Sequence, residues 1–88
     1  MAWQLRYDPA AEKELSKLDK SVQRSVKKYM AEVCELDDPA ERGHPLSKPL
    51  AGHHRYRIGQ LRIIDRIQRL VATVTVIKLD GAIPHIDS

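Results

Sequence analysis

The chain has no phenylalanine, and among its 88 residues it carries one tryptophan and one cysteine. Without Phe, the core has to be assembled mainly from Leu, Ile, Val and Ala. With Cys34 alone no intramolecular disulfide can form, which fits a reducing compartment. Cys34 lies within an apolar helical stripe and so reads as a small core residue rather than a nucleophile. No stretch approaches the ~18 consecutive apolar residues of a membrane span. The opening MAWQLRYDPA has no apolar segment of the secretory-signal kind. A cytoplasmic protein with no membrane partner is therefore expected. No His/Cys/Asp group has metal-ligand spacing, and there is no phosphate-binding glycine loop and no Ser/His/Asp set. Neither a metal nor a cofactor is expected.

Apolar residues make up 42% of the chain and charged residues 31%, an ordinary globular balance that excludes disorder. One domain over 1–88 is expected, with 80–88 as a short C-terminal tail. The net charge of +3 is unevenly placed. Residues 1–52 balance nine Lys/Arg against nine Asp/Glu. Residues 53–69 carry Arg55, Arg57, Arg62, Arg66 and Arg69 against Asp65 alone. A basic surplus concentrated in one stretch points to a polyanionic or acidic partner.

The hydrophobic pattern gives the element order. AWQLRY (2–7) alternates, with Trp3, Leu5 and Tyr7 on one face, as a strand does. DPAAEKELSKL opens a helix, with Asp8 at the N-cap and Pro9 at the first helical position. Ala11, Leu15 and Leu18 form its apolar stripe. DKSVQRSVKKYMAEVCEL is a second helix, with Val22, Val26, Tyr29, Met30, Val33 and Leu36 at helical spacing. DDPAERGHPLSKPLAG (37–52) reads as an ordered loop. HHRYRI and LRIIDRI flank Gly59–Gln60, a two-residue hairpin turn, and VATVTVIKL (71–79) is a β-branched strand. The expected fold is α+β, in the order β-α-α-β-β-β: a small, mainly antiparallel sheet with a two-helix hairpin packed on one face.

Strand pairing sorts the arginines. A Gly59–Gln60 turn sets Ile58 opposite Leu61, Arg57 opposite Arg62, Tyr56 opposite Ile63, Arg55 opposite Ile64 and His54 opposite Asp65. Side chains alternate between faces. Tyr56, Ile58, Leu61 and Ile63 then share the covered face, and Arg55, Arg57 and Arg62 share the open one. If Gln68–Arg69 is the next turn, Ile63 faces Val74, Leu61 faces Val76, Arg62 faces Thr75 and Ile64 faces Thr73. On that pairing no strand acid joins the arginines. Three guanidiniums without a counter-charge make an anion site, because their planar forks match phosphate oxygens. His54 falls on the covered face beside Asp65, where a structural pair is expected.

The stretches DPAAEKELSKLDKSVQRSV, GHPLSKPLAG and above all RYRIGQLRII resemble the RelE/ParE superfamily of bacterial toxins from toxin–antitoxin pairs, the RelE branch more than the ParE branch. The likeness covers nearly the whole chain, and the element order agrees. It implies a ribosome-dependent endoribonuclease, an mRNA interferase that works without a metal. In such an enzyme a ribose 2′-OH attacks the adjacent phosphate, and basic residues stabilise the phosphorane. The family's two basic residues on the second strand fall at Arg55 and Arg57, and its arginine after the hairpin falls at Arg62. The tail departs from the pattern. Ala82 or Ile83 stands where an arginine is expected, and Ile86 to Ser88 where a tyrosine is expected. That leaves His85 as the tail's candidate acid or base. Asp65 stands where an aromatic or small residue is common. Lys48 and Arg42 are candidate RNA contacts, weighed against solvated surface roles. The implied partners are a cognate antitoxin, the ribosome and mRNA, with operator DNA bound only by the toxin–antitoxin complex. The competing expectation is a ParE-like gyrase inhibitor, or a catalytically weakened toxin that acts by binding antitoxin and operator DNA.

Overall fold

The computed structural model describes residues 3–46 and 52–81. Strand β1 (Gln4–Tyr7) leads into helix α1 (Pro9–Ser16), then α2 (Lys20–Glu35). Asp8 holds the N-cap position of α1 with extended backbone but makes no side-chain capping bond, so Pro9 carries the start signal. A short 3₁₀ turn (Pro39–Glu41) precedes β2 (His44–Pro45), β3 (His53–Ile58) and β4 (Leu61–Gln68). A second 3₁₀ turn (Arg69–Val71) delivers the chain to β5 (Thr73–Gly81). The fold is α+β, and its sheet runs in the order β1-β5-β4-β3-β2. β1 pairs parallel with β5, and every other pair is antiparallel. The strand β2 lay hidden in what the sequence presents as a proline-rich loop.

The two helices cover one face. Ala11 and Leu15 of α1 and Val22, Val26, Met30, Val33 and Cys34 of α2 meet Tyr56, Leu61, Ile63, Val74, Val76 and Leu79 of the sheet. Trp3, Leu5, Tyr7, Leu18, Tyr29, Ile58 and Ile67 pack around this cluster, partly buried. Tyr56 stands in for the missing phenylalanines. Its ring packs edge-on to Tyr29 with centroids 6.1 Å apart, and its hydroxyl donates to the Pro39 carbonyl at 3.1 Å. Gly43 sits over that ring so closely that a Cβ would strike it, which docks the 37–45 loop on β3. Burial pushes the Cys34 thiol up to about 11, so at neutral pH it stays protonated and inert.

The first hairpin has the expected register: Ile58 pairs with Leu61, Arg57 with Arg62, Tyr56 with Ile63, Arg55 with Ile64 and His54 with Asp65. Gly59 takes φ +60, as a Gly-X turn requires. The second hairpin does not follow expectation. The connection is the 3₁₀ turn Arg69–Val71, closed by Ala72 at φ +46, so β5 begins later. Val74 pairs with Ile67 rather than Ile63, and Thr75 pairs with Arg66 rather than Arg62. The ladder then breaks between Ile64 and Asp65: Asp65 pairs with Val76 and Ile64 with Lys78, leaving Ile77 as the extra residue of a β-bulge. The bulge resets the alternation. Leu79 turns into the core opposite Ile63, and Lys78 and Asp80 turn to the open face. Asp80 and Gly81, read from sequence as the start of the tail, belong to β5.

Candidate functional site

The face of the sheet turned away from the helices collects the arginines. Cross-strand rows build it. One row runs Asp80, Arg62, Arg57 from β5 to β3. The next runs Lys78, Ile64, Arg55, His44 from β5 to β2. A third runs Arg6, Thr75, Arg66, His53 from β1 to β3. Arg55, Arg57 and Arg62 therefore share the surface that the hairpin register assigns them.

The expectation that no acid joins them is overturned. The later start of β5 and its bulge bring Asp80 opposite Arg62 in place of Thr75. The Arg62 Nε donates to Asp80 Oδ1 at 2.8 Å, and Lys78 Nζ lies 3.5 Å from Asp80 Oδ2. One carboxylate is thus shared by two cations. The bond to Arg62 uses Nε, which fixes the plane of the guanidinium. Arg55 and Arg57 have no such carboxylate partner among the described residues, and the buried Nε of Arg55 has no hydrogen-bond partner there. The face keeps a surplus of positive charge, with one arginine oriented by Asp80.

The other expected site residues are dispersed. Arg42 is drawn to α2: its guanidinium lies 3.7 Å from Glu32 and stacks 5.5 Å from the centroid of the Tyr29 ring. That places it on the helix side, apart from the arginine face. Lys48 and His85 lie outside the described residues. Arg69, counted in the basic surplus, binds Asp38 at 3.2 Å and sits over the Trp3 ring at 6.0 Å, a clamp between the β4–β5 turn and the 37–41 loop. No group of three or more metal-ligating side chains occurs among the described residues.

His54 and Asp65 are cross-strand neighbours, as expected, but they do not bond to each other. Neither Asp65 oxygen nor His54 Nδ1 has a hydrogen-bond partner among the described residues. The Tyr56 hydroxyl beside Asp65 donates to Pro39 instead. Burial pushes the Asp65 carboxyl up to about 6, against smaller opposing pulls from the Tyr56 hydroxyl, the His54 backbone and His53. Burial holds the His54 imidazole below its usual value, with Arg69 adding to the effect.

Among the open-face residues that the sequence reading does not place there are His44, Arg6 and Arg66. His44 arrives beside Arg55 through the two-residue strand β2, for which a loop rich in proline gives no sign. Arg6 and Arg66 flank Thr75 through the β1–β5 and β4–β5 pairings. Arg66 is legible as an alternating partner of Arg62 and Ile64 on β4, while Arg6 sits in the charge-balanced half of the chain.

Arg57 opposite Arg62 is an opposed like-charge pair, unfavourable by up to ~1 kcal/mol. Arg57→Ala removes it and leaves the Arg62–Asp80 bond in place. The melting temperature of Arg57→Ala should therefore equal or slightly exceed that of the parent. A loss of several degrees in a thermal scan would mean that Arg57 has a structural partner.

The family model for the ParE toxin of the type II toxin–antitoxin system, parDE, matches residues 5–80. No curated protein matches. Among solved structures, the fold is similar to the RelBE2 toxin–antitoxin complex of Mycobacterium tuberculosis, at 25% identity and a TM-score of 0.83, covering 93% of each chain. It is also similar to the isolated RelE toxin of E. coli, at 24% identity and a TM-score of 0.77, covering 96% of this chain and 88% of that one. The intact E. coli RelBE toxin–antitoxin complex gives 22% identity and a TM-score of 0.75, covering 94% of this chain and 100% of that one.

Proposed function

This chain belongs to the RelE/ParE superfamily as a toxin of a type II toxin–antitoxin system, and from that premise we propose that it is an endoribonuclease that cuts mRNA on the ribosome. The observation that carries this reading is the convergence of Arg55, Arg57 and Arg62 on one open sheet face. In the reaction a ribose 2′-OH attacks the adjacent phosphorus and the bond to the 5′-oxygen breaks. A 2′,3′-cyclic phosphate and a free 5′-OH result. The phosphorane between them carries extra negative charge, and fixed cations lower its energy relative to the bound substrate. Arg62, held in plane by Asp80, and Arg55 and Arg57, which have no carboxylate partner among the described residues, supply those cations without a metal.

Protons must also move, off the 2′-OH and onto the leaving 5′-oxygen. Among the described residues, His44 is the imidazole paired with Arg55 on this face, a side chain able to give or take a proton there. His85 keeps the same role as a tail candidate. The similarity to solved RelBE complexes supports a cognate antitoxin as the partner that silences this face. A small acidic segment laid over the arginines would do so through complementary charge.

The matching family model, that of ParE, and a tail without the expected arginine and tyrosine favour a second reading, a gyrase inhibitor that binds without cleaving. A ribosome-programmed mRNA cleavage assay run beside a gyrase supercoiling assay separates the two. Cleavage of the programmed message with supercoiling unaffected is the expected result. Intact message together with lost supercoiling would overturn the nuclease reading.

A further inference from the structure

We propose that the Arg6–Thr75–Arg66 row is a second phosphate site, which holds the RNA backbone a few nucleotides away from the phosphate cleaved at Arg55, Arg57 and Arg62. The choice of RNA rests on the nuclease reading above. The site itself rests on its own geometry. A cleft of about 450 Å³ opens on the sheet face between β1, β5 and β4, lined among others by Arg6, Arg66, Thr73, Thr75, Gln4 and Gln68.

Arg6 and Arg66 stand on opposite sides of Thr75, one strand away on each flank. With strands ~4.8 Å apart, their Cα atoms lie about 10 Å from each other, a span that two arginine side chains close over a small central residue. Thr75 is buried between them at 8% exposure. Neither arginine has an ion-pair partner among the described residues, whereas Arg42, Arg62 and Arg69 all do. Asp8 lines the same cleft but forms no ion pair with either arginine. The next row repeats the arrangement with amides, Gln4 and Gln68 flanking Thr73.

This chemistry favours phosphate over a protein partner. Guanidinium forks, hydroxyls and amides in adjoining rows are the donors that contact nucleic-acid backbones. A peptide interface is anchored by apolar or aromatic side chains in a pocket, and here the apolar lining is limited to Val71 and the Tyr7 edge. The cleft also continues the arginine surface. Arg66 is four residues beyond Arg62 on β4, so the two sites lie about 13 Å apart along the strand. A short run of single-stranded RNA covers that distance.

The test measures binding of the full chain to a mixed-sequence oligoribonucleotide carrying 2′-O-methyl groups throughout, which blocks 2′-OH attack, over a range of salt concentrations. The double variant R6Q/R66Q should bind roughly tenfold or more weakly at low salt. Its log K against log salt slope should be shallower by about 0.7, the contribution of one phosphate contact on a single strand. The charge-retaining R6K/R66K should keep the parent slope, and circular dichroism should show both variants folded. A double variant with the parent's affinity and slope overturns the proposal. So does a parent that does not bind the probe, and so does a loss seen only toward an acidic peptide. Because the probe cannot be cleaved, this outcome is independent of the cleavage assay. Failure of cleavage with a changed slope removes the nuclease reading and keeps the site. Cleavage with an unchanged slope does the reverse.

Discussion

Arg62→Ala should lower the single-turnover rate of cleavage on ribosome-bound mRNA by ~10²–10³-fold, the scale of about 2.7–4 kcal/mol that removal of one preorganised transition-state contact costs. Of Arg55, Arg57 and Arg62, Arg62 is singled out because it is the one with a carboxylate partner among the described residues. Its Nε is bound to Asp80 Oδ1, so it needs little reorganisation as charge builds on the phosphorane. Arg57, opposed to it across the strand pair, lacks such a tether among the described residues. The cost to the fold should be small. The Arg62 and Asp80 side chains are 41% and 28% exposed, and a pair so close to water is worth under ~1 kcal/mol. The two readouts must therefore separate, with a large fall in rate and a nearly unchanged melting temperature. A variant that cleaves at the parent rate but melts several degrees lower would reduce Arg62 to a structural partner of Asp80.

The split between what the sequence shows and what it hides follows the range of each interaction. The β3–β4 hairpin is local. Its turn contains the glycine that a two-residue loop demands, and the alternation on both sides admits one register. That was enough to place Arg55, Arg57 and Arg62 on a common face. The β4–β5 connection has no such marker. Ala72 takes the left-handed conformation at φ +46, which glycine or asparagine would normally announce. VTVI in β5 is β-branched throughout, so it suits several registers equally well. Only packing selects among them: the bulge at Ile77 is what puts Leu79 into the core. Asp80 reaches Arg62 as a by-product of that choice. Arg6 depends on a longer-range event still, the parallel pairing of the first strand with the last. No window of sequence contains both partners of that pair.

Asp65→Asn should make the protein more stable at pH 7.5, raising its melting temperature by several degrees, given that 1 kcal/mol moves a domain of this size by ~4–8 °C. Asp65 is fully buried on the covered face, opposite His54 and Val76, and its oxygens have no hydrogen-bond partner among the described residues. Burial pushes its carboxyl from 3.8 up to about 6. That difference corresponds to about 3 kcal/mol as an upper figure for the cost of ionising it in place. The sign follows from proton counting. Between pH 4 and 6 the folded protein holds a proton that the unfolded chain releases, so stability falls as pH rises through that window and levels off above it. His54 works the other way. Its imidazole is held below its ordinary value by burial, so the unfolded chain takes up a proton first and stability rises with pH up to about 6.5. The parent curve mixes both effects, but the difference between Asp65→Asn and parent cancels the histidine. That difference should be near zero at pH 4 and grow to its full size by pH 7. A flat difference, or an asparagine variant that is less stable at pH 7.5, would mean that the carboxylate is charged and satisfied. The cost is placed where it bears on the site. Asp65 lies on β4 between Arg62 and Arg66, at the point where the β4–β5 ladder breaks.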